Sequence, residues 1–120
     1  MTLTMGMVTV DTLDARRLGG WWAAQLGTEV VPDHDGWFVV VPAPPVLMAF
    51  QKAEDPTPGK NKIHLDLTAA DLDEEVDRLV AAGATLVGRR GDASFAWATM
   101  TDPDGNQFDV ASQAEAAESY

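Results

Sequence analysis

The run Lys62-Ile63-His64-Leu65-Asp66-Leu67-Thr68, followed by Asp71-Leu72-Asp73-Glu74-Glu75-Val76-Asp77-Arg78-Leu79-Val80-Ala81-Ala82-Gly83, decides the fold. The first part alternates, so Ile63, Leu65 and Leu67 share one face of a strand, with His64 and Asp66 on the other. The second part is amphipathic and predicts a helix from about Ala70 to Ala82. Leu72, Val76, Leu79 and Val80 form its apolar stripe, opposite Asp73, Glu74, Glu75, Asp77 and Arg78. Asp71 is placed to cap its start, and Gly83 to end it.

The same unit recurs upstream. Residues Leu3 to Val10 predict a strand, and Ala15 to Leu26 a helix capped by Asp14 and stopped by Gly27. Leu18, Trp21, Trp22 and Leu26 form its stripe. Strands follow at Thr28 to Val31 and Trp37 to Val41, joined by a turn with the Asp35-Gly36 pair, and at Val46 to Lys52. After the second helix come strands at Thr85 to Arg89, Phe95 to Thr101 and Gln107 to Ala111. Asp102-Pro103-Asp104-Gly105-Asn106 turns the chain between the last two. Its glycine comes too early for a calcium loop and no bidentate glutamate follows, so it reads as a turn.

The order is strand, helix, three strands, twice over: an α+β architecture of two βαβββ modules. Module one spans about residues 3–53 and module two about 62–111. A polar linker at 54–61 joins them within a single domain over residues 1–120, and residues 112–120 form an acidic tail. Packing the apolar strand faces against the helices leaves a curled mixed-sheet cup with helices outside. The expected ligand pocket lies between the halves and includes His64. In Gln107-Phe108-Asp109-Val110, Gln107 and Asp109 share the face opposite Phe108 and Val110.

Composition narrows the partners. The formal charge of −11, with only eight Lys and Arg, excludes the basic patch that nucleic acid requires. No apolar run approaches the roughly 20 residues of a membrane-spanning helix. Without cysteine there are no disulfides or thiolate sites. Met1 to Val10 lacks the pattern of a secretory signal, so a cytoplasmic location is expected by default. No serine or threonine stands in a nucleophile-elbow context.

The paired βαβββ layout, the run Gly59-Lys60-Asn61-Lys62-Ile63-His64-Leu65-Asp66-Leu67 and the closing Asp102-Pro103-Asp104-Gly105-Asn106-Gln107-Phe108-Asp109 resemble the glyoxalase/bleomycin-resistance/dioxygenase superfamily. This is the vicinal oxygen chelate superfamily, and the likeness is to its small bacterial glyoxalase-like domain proteins. The resemblance covers about Met5 to Ala111. It implies the fold strongly and the activity weakly, because such folds host lyases, epimerases, dioxygenases and antibiotic-binding proteins.

The resemblance implies a divalent metal held by residues of the first and last strands of each half. In half two these positions carry His64 and Asp109, the latter where a glutamate is commoner. In half one they carry Met7, a poor ligand for such ions, and a position within Met48 to Gln51 at which only Gln51 could coordinate. Asp66 is the candidate catalytic base; as alternative, it is a rim carboxylate bonded to backbone, Lys60 or Lys62. His64 is read either as a ligand or as a hydrogen-bonded pocket wall. Met7, Gln51, His64, Trp37, Trp97 and Gln107 are the candidate substrate-binding residues. Trp37, Phe95 and Trp97 fall on strands with either face open, whereas Trp21 and Trp22 belong to helix packing and His34 to an exposed turn.

Two functions follow. One is a metal-assisted lyase, isomerase or dioxygenase acting on a small organic molecule. The other is a metal-free small-molecule or antibiotic-binding protein, for which an acidic cup suits a cationic ligand. The resemblance also implies a homodimer.

Overall fold

The computed structural model describes residues 5–61, 63–92 and 96–112. Lys62, Phe95, the start of the first expected strand and the acidic tail beyond Ser112 lie outside them. The chain divides into two units, residues 1–57 and 58–120, within the linker read from the sequence.

The first unit contains β1 (Val8–Thr12), α1 (Ala15–Gln25), a single turn of 3-10 helix (His34–Gly36), β2 (Phe38–Ala43) and β3 (Val46–Lys52). Its three strands lie in the order β1-β3-β2. β1 runs parallel to β3, and β2 antiparallel to it. Asp14 caps α1 by accepting a hydrogen bond from the Arg17 amide at 3.1 Å. Gly27, at φ 67°, takes the left-handed conformation that stops it.

α1 buries Ala15, Leu18, Gly19, Trp22 and Ala23. A β carbon on Gly19 would stand 2.5 Å from Val39 Cγ2 and 3.2 Å from Phe50 Cδ2. The missing side chain thus lets the helix sit directly on the sheet. Trp21 is only half-buried and meets Trp22 edge-on, with ring centroids 5.1 Å apart.

The expected strand Thr28 to Val31 does not form. That segment touches β2 through two backbone bonds, Val31 N to Val40 O at 2.8 Å and Val40 N to Pro32 O at 3.0 Å. Pro32 lacks the N–H needed to continue the ladder. The chain then turns through His34 and Asp35, both at positive φ.

The second unit carries the full βαβββ order: β4 (Leu65–Ala69), α2 (Leu72–Ala81), β5 (Thr85–Gly91), β6 (Ala96–Thr101) and β7 (Gln107–Ser112). The strands lie in the order β4-β7-β6-β5, with β4 and β7 parallel and the other pairs antiparallel. Asp71 caps α2, its carboxylate accepting from the Glu74 amide at 3.0 Å. Val76 and Leu79 are buried, together with Ala98, Met100, Phe108 and Val110 of the sheet. Each large apolar side chain so buried contributes about 1.5–3 kcal/mol. Val80, expected in the apolar stripe, is 47% exposed. One residue beyond Leu79, it is turned about 100° around the helix, past the sheet-facing side.

Candidate functional site

The polar face of the second unit is built by register. Parallel pairing sets Asp66 of β4 beside Asp109 of β7, and antiparallel pairing sets Asp109 beside Thr99 of β6. His64 precedes β4 and lies two residues before Asp66, so it returns to the same side of the chain. The opposite side carries Leu65, Leu67, Phe108 and Val110, which pack under α2 or sit half-buried near it.

These groups converge on the imidazole. His64 Nε2 lies 3.3 Å from Asp66 Oδ1 and 3.2 Å from Asp109 Oδ2. The other oxygen of Asp109 accepts a 2.7 Å hydrogen bond from Thr99 Oγ1. Exposure falls from Asp66 at 57% through His64 at 45% to Asp109 at 20%. The inner carboxylate is therefore fixed and the outer one open to solvent. Two carboxylates on adjacent strands repel, and a cation held between them would offset that repulsion.

The donor set fits a divalent ion. One atom from each of His64, Asp66 and Asp109 lies within 4.8 Å of the others. Metal–ligand bonds of about 2.1 Å place neighbouring ligand atoms roughly 3.0–3.4 Å apart, the separation seen from Nε2 to both carboxylates. Imidazole nitrogen with carboxylate oxygen suits zinc, manganese or iron, and ligation by His64 and Asp109 would leave Asp66 and open positions for a small molecule.

Asn61 fastens the strand entry. Its Nδ2 donates to the carbonyls of Ile63 at 2.6 Å and Gln107 at 3.1 Å, and its Oδ1 accepts from the Gln107 amide at 2.8 Å. Gln107 thus acts here through its backbone, tying β7 to the segment that carries His64. Trp97 is half-buried, opposite Ala111 of β7, on the face of Thr99. Thr99 carried no local signal for a role at the site, and Asn61 was marked only as part of the Gly59 to Leu67 run, with no role assigned to it. Thr99 was legible only as a polar residue within the apolar stretch Ala96 to Met100.

In the first unit, Gln51 is the penultimate residue of β3, facing Asp11 on one side and Phe38 on the other, and Met7 sits 37% exposed just before β1. The register of β3, open in the sequence, is thereby set. Trp37 is not on that Gln51–Phe38 face. It is 58% exposed, its ring 6.1 Å from His34 and 5.7 Å from Phe38. It lines a groove with Leu13, Asp14, Arg16, Asp35, Gly36 and Lys52. There Arg16 Nε lies 3.0 Å from Asp33 Oδ2. That hydrogen bond, with the Gly36 amide donating to Asp33 Oδ1 at 2.6 Å, holds the Asp33 carboxyl below its ordinary range. The same bond raises the Arg16 guanidinium. His34 lies in an exposed turn, as read from the sequence. Asp102 is buried as the anchor of its turn, accepting from the amides of Asp104 at 2.9 Å and Asn106 at 3.0 Å. Among the described residues no helix is long and apolar enough to cross a membrane.

No curated protein matches the chain by sequence. Solved structures share its fold. One is a member of the glyoxalase/bleomycin resistance protein/dioxygenase superfamily from Sphaerobacter thermophilus, at 24% identity and TM-score 0.69, covering 94% of this chain and 99% of that one. Another is lactoylglutathione lyase from Agrobacterium tumefaciens, at 15% identity and TM-score 0.68, covering 95% and 96%. A third is a variant of the fosfomycin resistance protein FosX from Listeria monocytogenes, complexed with Mn(II) and a dihydroxypropylphosphonic acid. It has 13% identity and TM-score 0.78, covering 92% and 90%. With the model of the glyoxalase-like domain matching residues 7–111, the chain belongs to the glyoxalase-like domain family.

Proposed function

We propose that this protein binds a small oxygen-bearing organic molecule at His64, Asp66 and Asp109 and acts on it as a metal-assisted lyase, isomerase or dioxygenase. The observation that carries the reading is the imidazole nitrogen held at ligand-like distance from two carboxylates, one of them fixed by Thr99. His64 and Asp109 are the residues that would hold a divalent ion. Such an ion supplies a Lewis acid able to polarise neighbouring oxygens of the substrate. The Mn(II) in the FosX structure supports the choice of a divalent cation.

The chain's own residues divide the remaining work. Thr99 holds Asp109 in one orientation, so the site is shaped before a ligand arrives. Asp66, the most exposed of the three, is the carboxylate that takes a proton from the substrate onto an Oδ atom. Trp97 offers an apolar surface on the same face. The reading includes a homodimer, with Leu86 and Val87, both partly exposed on the edge strand β5, as apolar surface available for it.

A second reading is favoured by the same distances: His64, lying between Asp66 and Asp109, completes a closed polar triad without metal. The protein would then be a metal-free binding protein. Calorimetric titration with Mn(II), Ni(II) and Zn(II), repeated on Asp109→Asn, separates the two. One ion per chain in the wild type and a large loss in the variant support the metal reading, and absence of binding by all three favours the triad.

A further inference from the structure

Strand β5 carries two consecutive arginines, and a bulge decides which of them faces the His64 group. β5 and β6 pair Thr85 with Thr101 and Leu86 with Met100, then Gly88 with Thr99, Arg89 with Ala98 and Arg90 with Trp97. Val87 is skipped. An unbroken ladder would set Val87 against Thr99 and Arg89 against Trp97. The extra residue exchanges the two faces and brings Arg90 to the side of Thr99 and Asp109. Arg89 goes to the helix side, where its Nη1 meets Asp73 Oδ1 of α2 at 2.9 Å.

Arg90 then folds back over Gly88. A β carbon at residue 88 would stand 3.4 Å from both Cζ and Nη1 of Arg90, so the glycine leaves the bed on which the guanidinium rests. Gly88, Thr99, Asp109 and Asp66 are successive neighbours across the four strands. The guanidinium therefore lies two strand spacings from Asp109, roughly 10 Å at about 4.8 Å each. Among the described strand residues of this unit, Arg90 is the only Lys or Arg on this face, and no described carboxylate pairs with it. In a chain of net charge −11, a guanidinium with no described carboxylate partner, two strands away from the acidic pair, offers a place for an anion.

We infer that Arg90 binds the carboxylate of a small acid whose far end presents its neighbouring oxygens to His64 and Asp109. A single planar guanidinium matches a carboxylate in both charge and two-pronged geometry, whereas a phosphate dianion calls for further cations. Trp97, directly across from Arg90, supplies the wall between the two ends. The inference rests on the reading of the His64 centre and adds the substrate class: a carboxylic acid about one aromatic ring long, not a neutral compound.

The test uses dihydroxyphenylacetate, with hydroxyls on adjacent ring carbons, and its methyl ester as probes for the Mn(II)-loaded full chain. The wild type is expected to bind the acid about tenfold more tightly than the ester, the effect of one charge-assisted hydrogen bond. Arg90→Gln should bring the two affinities together, and Arg89→Gln should keep the preference. Equal affinities in the wild type, a preference that survives Arg90→Gln, or no binding of either probe overturns the inference. Mn(II) affinity is read separately. If the ion does not bind, the metal reading falls by itself, and the acid-to-ester ratio on the metal-free protein still decides the role of Arg90.

Discussion

Thr99 Oγ1 donates a 2.7 Å hydrogen bond to one oxygen of Asp109 and leaves the other oxygen 3.2 Å from the His64 imidazole. A hydroxyl on β6 thus sets the direction of a carboxylate on β7. Thr99→Val keeps the shape and removes the donor. The expected result is a loss of about tenfold or more in divalent-ion affinity, with stability lowered by about 1 kcal/mol. Calorimetric titration beside urea denaturation reads both, and an unchanged affinity would show that Asp109 needs no such orientation.

Asn61→Ala removes three hydrogen bonds, one to Ile63 within the segment before His64 and two that join this segment to Gln107 at the start of β7. The Gln107 amide is expected to exchange with solvent at least tenfold faster, because its acceptor is gone and strand ends open locally. Amides within α2 should keep their protection. Hydrogen exchange followed by NMR tests this; uniform acceleration across the second unit would point instead to global destabilisation.

Much of this fold was legible in the chain. Val46 to Lys52 was readable at both ends, and the two helices were marked by Asp14, Asp71, Gly27 and Gly83, whose effects are local. The failure at Thr28 to Val31 also has a local origin, since Pro32 removes the donor that a continuing strand needs. Alternation placed His64 with Asp66 and Gln107 with Asp109. No local pattern joined these pairs; the family resemblance put His64 with Asp109, and in the structure the parallel register of β4 and β7 brings them together. Thr99 and the bulge at Val87 depend on pairing between distant strands in the same way.

Gly19 tests the packing of α1. Gly19→Ala should improve intrinsic helix propensity by about 1 kcal/mol. It also drives a methyl group into Val39 and Phe50, both fully buried. Overpacking of that kind costs about 1–3 kcal/mol, so net destabilisation is expected in urea denaturation. A stabilised variant would mean that the helix can lift from the sheet without penalty.

Acid should weaken the Arg16–Asp33 contact. The Asp33 carboxyl is held low chiefly by the Arg16 hydrogen bond. Its contribution is therefore present above the carboxyl's unfolded-state range and is lost as pH falls through the lower folded value. Both side chains are substantially exposed, so the effect is small. The melting-temperature difference between wild type and Asp33→Asn should be present at neutral pH and vanish in acid. A difference that grows on acidification would contradict this assignment.

The most direct test of the His64 centre is a titration of the full chain with Mn(II), following melting temperature and bound-ion stoichiometry in the wild type and in His64→Ala. One ion per chain and a concentration-dependent rise in the wild type are expected, since an ion bound only by the folded state stabilises it. In His64→Ala both should be lost while the protein stays folded. No rise in the wild type, or the same rise in both proteins, would contradict a metal centre at His64.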